Sequence, residues 1–388
     1  MHDGTEAAFR ATRPGGRSGR RSTGGANLAL VLFLSLFASH LTAATLTPIP
    51  TRDIKVVRRW ALPGDPRGLA IGPNGVIYIG LAQRQSVVAI DPATGQVLQE
   101  LVLDHPEIAS TKELVTLRTT PDRARLLVAN GSDESATILS LPQLAVLREI
   151  TIEGEPIRDA VPDPSGRYIY LLGRHVHVFD ATGEVELRKL DIADPMALAL
   201  SSNGSILAVI GSHDYGNGRV TVVTMYETGD FKEISSDPLQ TDRRIDEALF
   251  GAKDRALVAL GSQWLYEKPF TTTARAPKLL QGGPAGGGRL RMTLDFGDLV
   301  NSQRVCLPDN SGPQVGVMAS PSLLIYAEKR CTGSGLFIGS ARRVTPASIY
   351  GISAYAIAYD PAANVVYATD RPGSLTIYKV PKARNVQQ

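Results

Sequence analysis

Short apolar runs alternate with turn residues along most of the chain, and residues 69–97 hold the clearest example. The runs Ile77–Leu81 and Val87–Ile90 are rich in Ile, Val and Tyr, a composition that favours strands buried on both faces. Pro73-Asn74-Gly75 and Asp91-Pro92-Ala93-Thr94-Gly95 flank them, and these residue types supply the backbone angles of tight turns. With one more strand after Gly95, the pattern predicts a four-stranded antiparallel unit whose two apolar faces have to pack against copies of itself.

The unit recurs toward the C-terminus, which predicts an all-β repeat fold. When the copies are aligned on the turn before the second strand, their anchors are Pro73, Pro121, Pro164, Ser202, Ala252, Ser320 and Pro361. Most of the intervals are close to the blade length of a β-propeller, so the sequence predicts a seven-bladed β-propeller of four-stranded antiparallel blades. The 68-residue interval between Ala252 and Ser320 keeps six or eight blades open.

The two ends of the repeat region predict how the ring closes. Ile54–Leu62 reads as a strand that precedes the first copy, whereas the last copy ends after its third strand, Ser374–Val380. We therefore expect the N-terminal strand to complete the last blade, because this pairing closes the ring and removes an exposed sheet edge.

The N-terminus has the layout of a secretory signal peptide. Residues 1–26 are rich in Arg, residues 27–38 form a short apolar run, and small residues follow up to Ala44. We expect cleavage after Ala44 and a secreted or periplasmic protein; the alternative is an uncleaved signal anchor, through which alone the chain would contact a membrane. The predicted organisation is a signal peptide at 1–44, a linker at 45–53, the propeller at 54–381 and a tail at 382–388.

Charge gives no reason to expect a nucleic-acid partner. The formal net charge is +3, and residues 1–44 account for it, since they hold five Arg against Asp3 and Glu6. The body that remains after cleavage is close to neutral, whereas binding to nucleic acid depends on clustered positive charge.

The sequence also predicts one insertion and one disulfide bond. The long interval contains an insertion at about residues 282–313, which opens with a Gly-rich stretch and ends close to Cys306. Cys306 and Cys331 are the two cysteines of the chain, and we expect them in two loops that open on the same face of one blade. In an exported protein such a pair favours a disulfide, here one that fixes the insertion to the ring. A redox-active or metal-binding pair is the alternative.

Catalytic signatures such as GxSxG, HExxH and the phosphate-binding loop are absent from the sequence. The candidate chemistry therefore comes from position, because ionisable residues recur at the start of the innermost strands, where the central channel of a propeller opens. With neighbours on the same face they form the channel-mouth set: Arg67, Glu113, Arg158, Asp159, His213, Asp214, Asp246 and Glu247. Such a set could hold a polar ligand or a cation, or its members could only satisfy one another.

Two histidines, His175 and His177, alternate along a predicted third strand, so their side chains point the same way. They could act as two metal ligands. A pair flanked by Val is more often a packing pair, so the sequence assigns no metal and leaves the cofactor unknown.

The repeats resemble those of the bacterial YVTN-type seven-bladed propellers, which are grouped with lactonase-like and quinoprotein-like propellers. The likeness spans residues 54–381 and rests on Leu127-Val-Ala-Asn130, Tyr367-Ala-Thr-Asp370, the Pro-Asn-Gly and Pro-Ser-Gly turns and Asp-Pro-Ala-Thr-Gly. The strict Tyr-Val-Thr-Asn string is absent, and none of the active-site patterns of the group matches residue by residue.

These motifs specify a blade rather than a chemistry, so the function is an expectation drawn from the fold and from the missing catalytic signatures. We expect a binding scaffold, not an enzyme, whose partner is a protein, a glycan or a small molecule. The alternative is a lactonase-like hydrolase or lyase that uses the Asp, Glu and Arg of the channel-mouth set, with or without a divalent metal. A third hypothesis is a subunit of a periplasmic redox complex.

Overall fold

The computed structural model describes the backbone of most of the repeat region. The described residues are 56–103, 116–129, 134–214, 219–239, 245–251, 254, 256–261, 264–269, 291–295, 315–320, 323–327, 336–340, 347–349, 354–370 and 373–380. The predicted signal peptide, Glu113, Cys306 and Cys331 lie outside these residues, so the signal peptide and the disulfide stay predictions. Within the described residues, no helix is long and apolar enough to cross a membrane.

The first half of the described region forms three sheets, each built from four consecutive strands, while the strand that precedes them, β1 (Val56–Ala61), belongs to the last sheet. The first sheet contains β2 (Pro66–Ile71), β3 (Ile77–Leu81), β4 (Ser86–Asp91) and β5 (Gln96–Val102). The second contains β6 (Thr116–Thr119), β7 (Arg125–Ala129), β8 (Ser135–Ser140) and β9 (Val146–Thr151). The third contains β10 (Asp159–Pro162), β11 (Tyr168–Leu172), β12 (Val176–Asp180) and β13 (Glu186–Leu190).

Four further sheets follow along the chain. The fourth contains β14 (Pro195–Leu200), β15 (Ile206–Asp214), β16 (Arg219–Glu227) and β17 (Lys232–Leu239). The fifth contains β18 (Ile245–Gly251), β19 (Ala256–Gly261), β20 (Trp264–Pro269) and β21 (Arg291–Asp295). The sixth contains β22 (Val315–Ser320), β23 (Leu323–Ala327), β24 (Leu336–Ser340) and β25 (Ala347–Ile349). The last contains β26 (Ala354–Asp360), β27 (Val365–Asp370) and β28 (Ser374–Lys379), with β1 as its fourth strand.

The sheets succeed one another around a ring, as the sequence predicts for a β-propeller. Strand β2 contacts both β6 and β26, β6 contacts β10, β11 contacts β14, and β18 lies between β14 and β22. The contact of β22 with β26 completes the circle of first strands. The described strands therefore form seven sheets; because residues 270–290 and 296–314 lie outside the described part, the blade number of the whole chain stays a prediction.

The N-terminal strand closes the ring, in agreement with the prediction from the two chain ends. Strand β1 pairs antiparallel with β28, so that Trp60 lies opposite Leu375 and Arg59 opposite Thr376. The Trp60 ring nitrogen also donates a hydrogen bond to Pro92 O at 3.3 Å, in the last turn of the first sheet. Trp60 thus connects the closing sheet to the first sheet.

Apolar side chains fill the spaces between neighbouring sheets. Ile79 and Val88 of the first sheet form one buried cluster with Tyr367 and Leu375 of the closing sheet. Comparable buried clusters include residues of the first and second, second and third, third and fourth, and fourth and fifth sheets. In the first three sheets the second and third strands are buried at nearly every position, because both of their faces contribute to these clusters.

Part of the predicted insertion belongs to a sheet. Arg291–Asp295 pairs with β20 and supplies the fourth strand of the fifth sheet, with Trp264 opposite Asp295. The long interval between the fifth and sixth copies therefore includes an outer strand as well as loop residues.

Candidate functional site

A β-bulge recurs at the start of the first strands, where the sequence places its candidate charges. The register shifts by one residue at Arg67, Met196, Asp246 and Tyr355, in four different sheets. A bulge leaves one residue outside the regular alternation and re-aims its side chain. All four residues lie six positions before their repeat anchors, so the sequence alignment identified structurally equivalent positions.

Arg118 joins two carboxylates of the channel-mouth set. Its Nε and Nη2 atoms donate to the two oxygens of Asp159 at 3.2 and 2.8 Å, a bidentate arrangement that strengthens the pair. Nη2 also lies 3.7 Å from Oε1 of Glu247. Arg118, Asp159 and Glu247 belong to the second, third and fifth sheets, so the ion pairs reach across the interior of the ring.

The network extends to the backbone and fixes the charge of its centre. The second oxygen of Glu247 accepts a hydrogen bond from the Gly316 backbone N–H at 2.6 Å. Because Gly316 lies in β22, this bond connects the sixth sheet to the network. The Asp159 charge raises the pKa of the Arg118 guanidinium; burial opposes this shift, and the Glu247 charge adds to it. Arg118 therefore stays a cation, and it is 36 % exposed, while Asp159 and Glu247 are 15 % and 14 % exposed.

Arg67 and Arg158 make separate contacts on the same face. Arg67 donates to Oδ2 of Asp65 at 2.9 and 2.7 Å, and its guanidinium stacks on the Tyr355 ring at 3.9 Å from the centroid. Arg158 donates to the carbonyl oxygens of Gly173, at 2.8 Å, and Pro195. Both cations are thus held by the protein itself.

The remaining members of the channel-mouth set are placed only in part. Asp246 lies in β18 at its bulge, and His213 and Asp214 end β15, opposite Val220 and Arg219. The description of these three residues extends to the backbone alone, and Glu113 lies outside the described residues. The structure therefore brings Asp159 and Glu247 together through Arg118 and leaves these four residues as predictions.

A second cluster lies on the same face, in the third sheet. Glu155 precedes β10, His175 precedes β12, and His177 lies within β12. His175 Nδ1 is 2.8 Å from Oε1 of Glu155, and His177 Nε2 is 3.1 Å from Oε2. Glu155 and His177 are buried, and these three side chains are the described group whose ligand atoms could hold a metal ion.

Charged neighbours complete this Glu-His cluster. Lys189 Nζ donates to Oε1 of Glu155 at 3.1 Å, and Nδ1 of His177 lies 2.8 Å from Oε1 of Glu186. Burial by itself raises the pKa of the Glu155 carboxyl, but the hydrogen bonds to His177, His175 and Lys189 outweigh it and lower the pKa to about 2. Glu155 is therefore a carboxylate at any pH above that value.

Sequence reasoning missed the two residues that organise these clusters. Arg118 lies three positions before its anchor Pro121, and the same position in other copies carries no repeated charge. Glu155 lies in a connection between sheets, where the repeat pattern gives no register. The sequence did hold one signal for Glu155. The loop that enters the first strand of a sheet opens on the same face as the loop before its third strand, so Glu155 could have been predicted to lie near His175.

A surface pocket of about 310 Å³ lies at the opposite face, between the second and third sheets. Arg125, Tyr168 and Ala181 are among its lining residues. No member of the channel-mouth set and no member of the Glu-His cluster is among its lining residues, so this pocket is separate from both candidate sites.

The comparisons with known proteins support the fold alone. No family model matches the chain, and no curated protein matches it either, so the YVTN resemblance stays a prediction. Among solved structures, the chain is similar to the β-propeller domain of Cps50 (Swd1) from Myceliophteria thermophila, with a TM-score of 0.61. The match covers 87 % of this chain and 100 % of that chain at 12 % identity, and it agrees with the ring of four-stranded sheets: the protein is a β-propeller.

Proposed function

We propose that this protein is an exported β-propeller that acts as a binding scaffold. Its contact surface is the face that holds the channel mouth and the predicted insertion, and its partner is a protein, a glycan or a small molecule. The observation that carries the proposal is the Arg118 network, because it holds the carboxylates of Asp159 and Glu247 in fixed positions. A preorganised polar surface lowers the entropy lost when a partner binds.

The same network weighs against the hydrolase alternative at this mouth. A general acid or base has to exchange a proton with its substrate, and a carboxylate bound bidentately by a guanidinium is a weak base. A divalent metal between Asp159 and Glu247 would also have to displace the Arg118 cation, with which both carboxylates already pair.

The test compares two charge-swapped variants of the mature chain, each with unchanged net charge. Glu153→Lys with Arg174→Glu alters exposed residues on the mouth face. Arg148→Glu with Glu184→Lys reverses an exposed ion pair toward the opposite face and preserves the pairing. Immobilised wild-type protein and both variants are exposed to a periplasmic extract and to a glycan array, and N-terminal sequencing of the exported protein checks for a start at Thr45.

The scaffold proposal expects a ligand that binds wild type and the opposite-face variant equally and the mouth-face variant at least tenfold more weakly. Ligands that bind all three proteins alike contradict it. Saturable turnover of a lactone substrate that is lost in Asp159→Asn would replace it with the hydrolase function.

A further inference from the structure

The Glu-His cluster brings three potential metal ligands together from two separate segments. Glu155 comes from the connection between the second and third sheets, and His175 and His177 come from the entry to β12. Their nearest nitrogen and oxygen atoms lie within 4.8 Å of one another. Strand alternation puts both imidazoles on one side of β12, and the backbone N–H of His175 donates to Oε2 of Glu155 at 3.2 Å, which helps to fix the carboxylate.

Two carboxylates flank His177, one at each ring nitrogen. Its two ring nitrogens face two carboxylates, Nδ1 toward Glu186 at 2.8 Å and Nε2 toward Glu155 at 3.1 Å. A carboxylate only accepts hydrogen bonds, whereas a neutral imidazole carries one N–H. With that proton directed to Glu186, the lone pair of Nε2 faces an oxygen of Glu155, and a metal ion bound by both groups would satisfy the two lone pairs.

The Glu186 contact favours the metal ion. Histidines that bind metals commonly donate their other N–H to a carboxylate, which fixes the tautomer and makes the coordinating nitrogen more basic. Glu186 occupies that position on His177. The histidine is 4 % exposed, so its ring is also held in place by burial.

The donor set and the spacing point to one class of ion. Two imidazole nitrogens with one carboxylate oxygen suit Zn²⁺ and similar divalent transition metals, whose bonds to these ligands are about 2.0–2.2 Å long. Ligand atoms around a tetrahedral ion of that size lie about 3.4 Å apart. His175 lies 2.8 Å from one oxygen of Glu155 and His177 lies 3.1 Å from the other, so side-chain rotations would have to bring one ligand atom of each residue to that spacing.

We propose that Glu155, His175 and His177 form a binding site for a Zn²⁺-type divalent metal ion. Three protein ligands leave at least one coordination position of the ion for a water molecule or for a ligand atom of a binding partner. The partly exposed His175 lies on the solvent side of the cluster. Lys189 has to leave the Glu155 oxygen when the ion binds. It is 46 % exposed, so its ammonium group can move into water.

Zinc titration calorimetry on the mature wild-type chain is the direct test. We expect one Zn²⁺ per chain, and at least a hundredfold loss of affinity in His175→Gln and in His177→Gln. Glu186→Gln should weaken binding about 10- to 100-fold, because it removes the carboxylate that orients His177. Glu100→Gln, at an ion pair with Arg84 in the first sheet, is the matched control for Glu186→Gln and should bind as wild type does.

Lys189→Met keeps the proposal testable if a ligand variant fails to fold. Removal of a competing cation should raise the Zn²⁺ affinity about tenfold, while a purely hydrogen-bonded cluster would gain nothing. Substitution by Co²⁺ should give the visible absorption of a low-symmetry nitrogen and oxygen site, and His175→Gln should abolish it. The proposal is overturned if wild type binds no Zn²⁺, if binding survives both histidine variants, or if Lys189→Met leaves the affinity unchanged.

Discussion

At the scale of single residues, the turn Asp91–Gly95 shows how the sequence repeat works. Asp91 accepts hydrogen bonds from the Ala93 backbone at 2.8 Å and the Thr94 hydroxyl at 2.7 Å, which hold the turn. Gly95 then adopts a φ of 74°, in the left-handed region. A related turn occurs at Asp180, which accepts from the Thr182 hydroxyl at 2.6 Å; its string is one residue shorter, so Thr182 lies two residues after the Asp rather than three.

Gly95 has a second constraint that its turn alone does not explain. A Cβ atom at this position would lie 2.4 Å from the Trp60 ring, whereas a Cβ at Gly75, with a φ of 75°, would meet nothing within 4 Å. We expect Gly75→Ala to reduce the free energy of unfolding by about 1–2 kcal/mol, the cost of the left-handed conformation. Gly95→Ala should reduce it by a further 1–3 kcal/mol, because the indole ring has to shift.

Urea unfolding followed by circular dichroism measures both Gly variants under one condition. Equal midpoints for Gly95→Ala and Gly75→Ala would show that Trp60 does not pack on Gly95. A larger loss for Gly95→Ala supports the contact between the closing strand and the first sheet.

The charged residues show what the sequence could predict at this scale and what it could not. Arg67 and Asp246 recur at one register relative to the turns, and the backbone bulges agree with that register. Arg118 and Glu155 could not be found in this way, because their roles depend on contacts between different sheets rather than on position within a repeat. A sequence pattern that repeats once in every blade carries no information about which blades face each other across the ring.

At the scale of strands, burial decides which elements the sequence predicts well. Ile77–Leu81 is buried throughout, so its apolar run is continuous and easy to recognise. The outer strand Glu186–Leu190 is exposed at all positions except the last, and its sequence is mostly polar. Arg291–Asp295 is the outer strand of the fifth sheet and falls within a stretch predicted to be an insertion.

The closing strand β1 is predicted from the unequal chain ends, and its contacts explain why it matters for stability. Trp60 is 9 % exposed within the cluster shared by the closing and first sheets, whereas Val57 on the same strand is 50 % exposed. We expect Trp60→Ala to lower the free energy of unfolding by about 3–5 kcal/mol, because it removes a large buried side chain and its hydrogen bond to Pro92. Val57→Ala should change it by less than about 0.5 kcal/mol.

Limited proteolysis distinguishes loss of closure from general destabilisation. In Trp60→Ala the first new cleavage sites should lie within residues 54–62, since a released strand is cut before the rest of the ring. Cleavage that begins elsewhere, with residues 54–62 still protected, would contradict a closing role for Trp60.

At the scale of the whole ring, two kinds of contact hold the sheets together. Apolar clusters join neighbouring sheets, and each cluster is built from side chains of one sheet and the next. The pairs of Arg118 with Asp159 and Glu247 join the second sheet to the third and the fifth. Because repeat proteins gain stability mainly from nearest-neighbour contacts, a link between sheets that are not neighbours adds cooperativity to the ring as a whole.

Arg118→Met tests this link, because it keeps most of the side-chain volume and leaves two carboxylates without their shared cation. Removal of one partner from a buried ion pair costs about 3–5 kcal/mol, and partial exposure at the channel reduces the expected loss to about 1–3 kcal/mol. Arg148→Met, in an ion pair exposed on both sides, should lose less than about 1 kcal/mol. Adding Asp159→Asn to Arg118→Met should recover part of the loss, since one of the two negative charges disappears. Denaturant unfolding of wild type and the three variants in low and high salt measures each loss of unfolding free energy and its electrostatic part. An Arg118→Met protein as stable as wild type would mean that neighbouring-sheet contacts alone hold the ring closed.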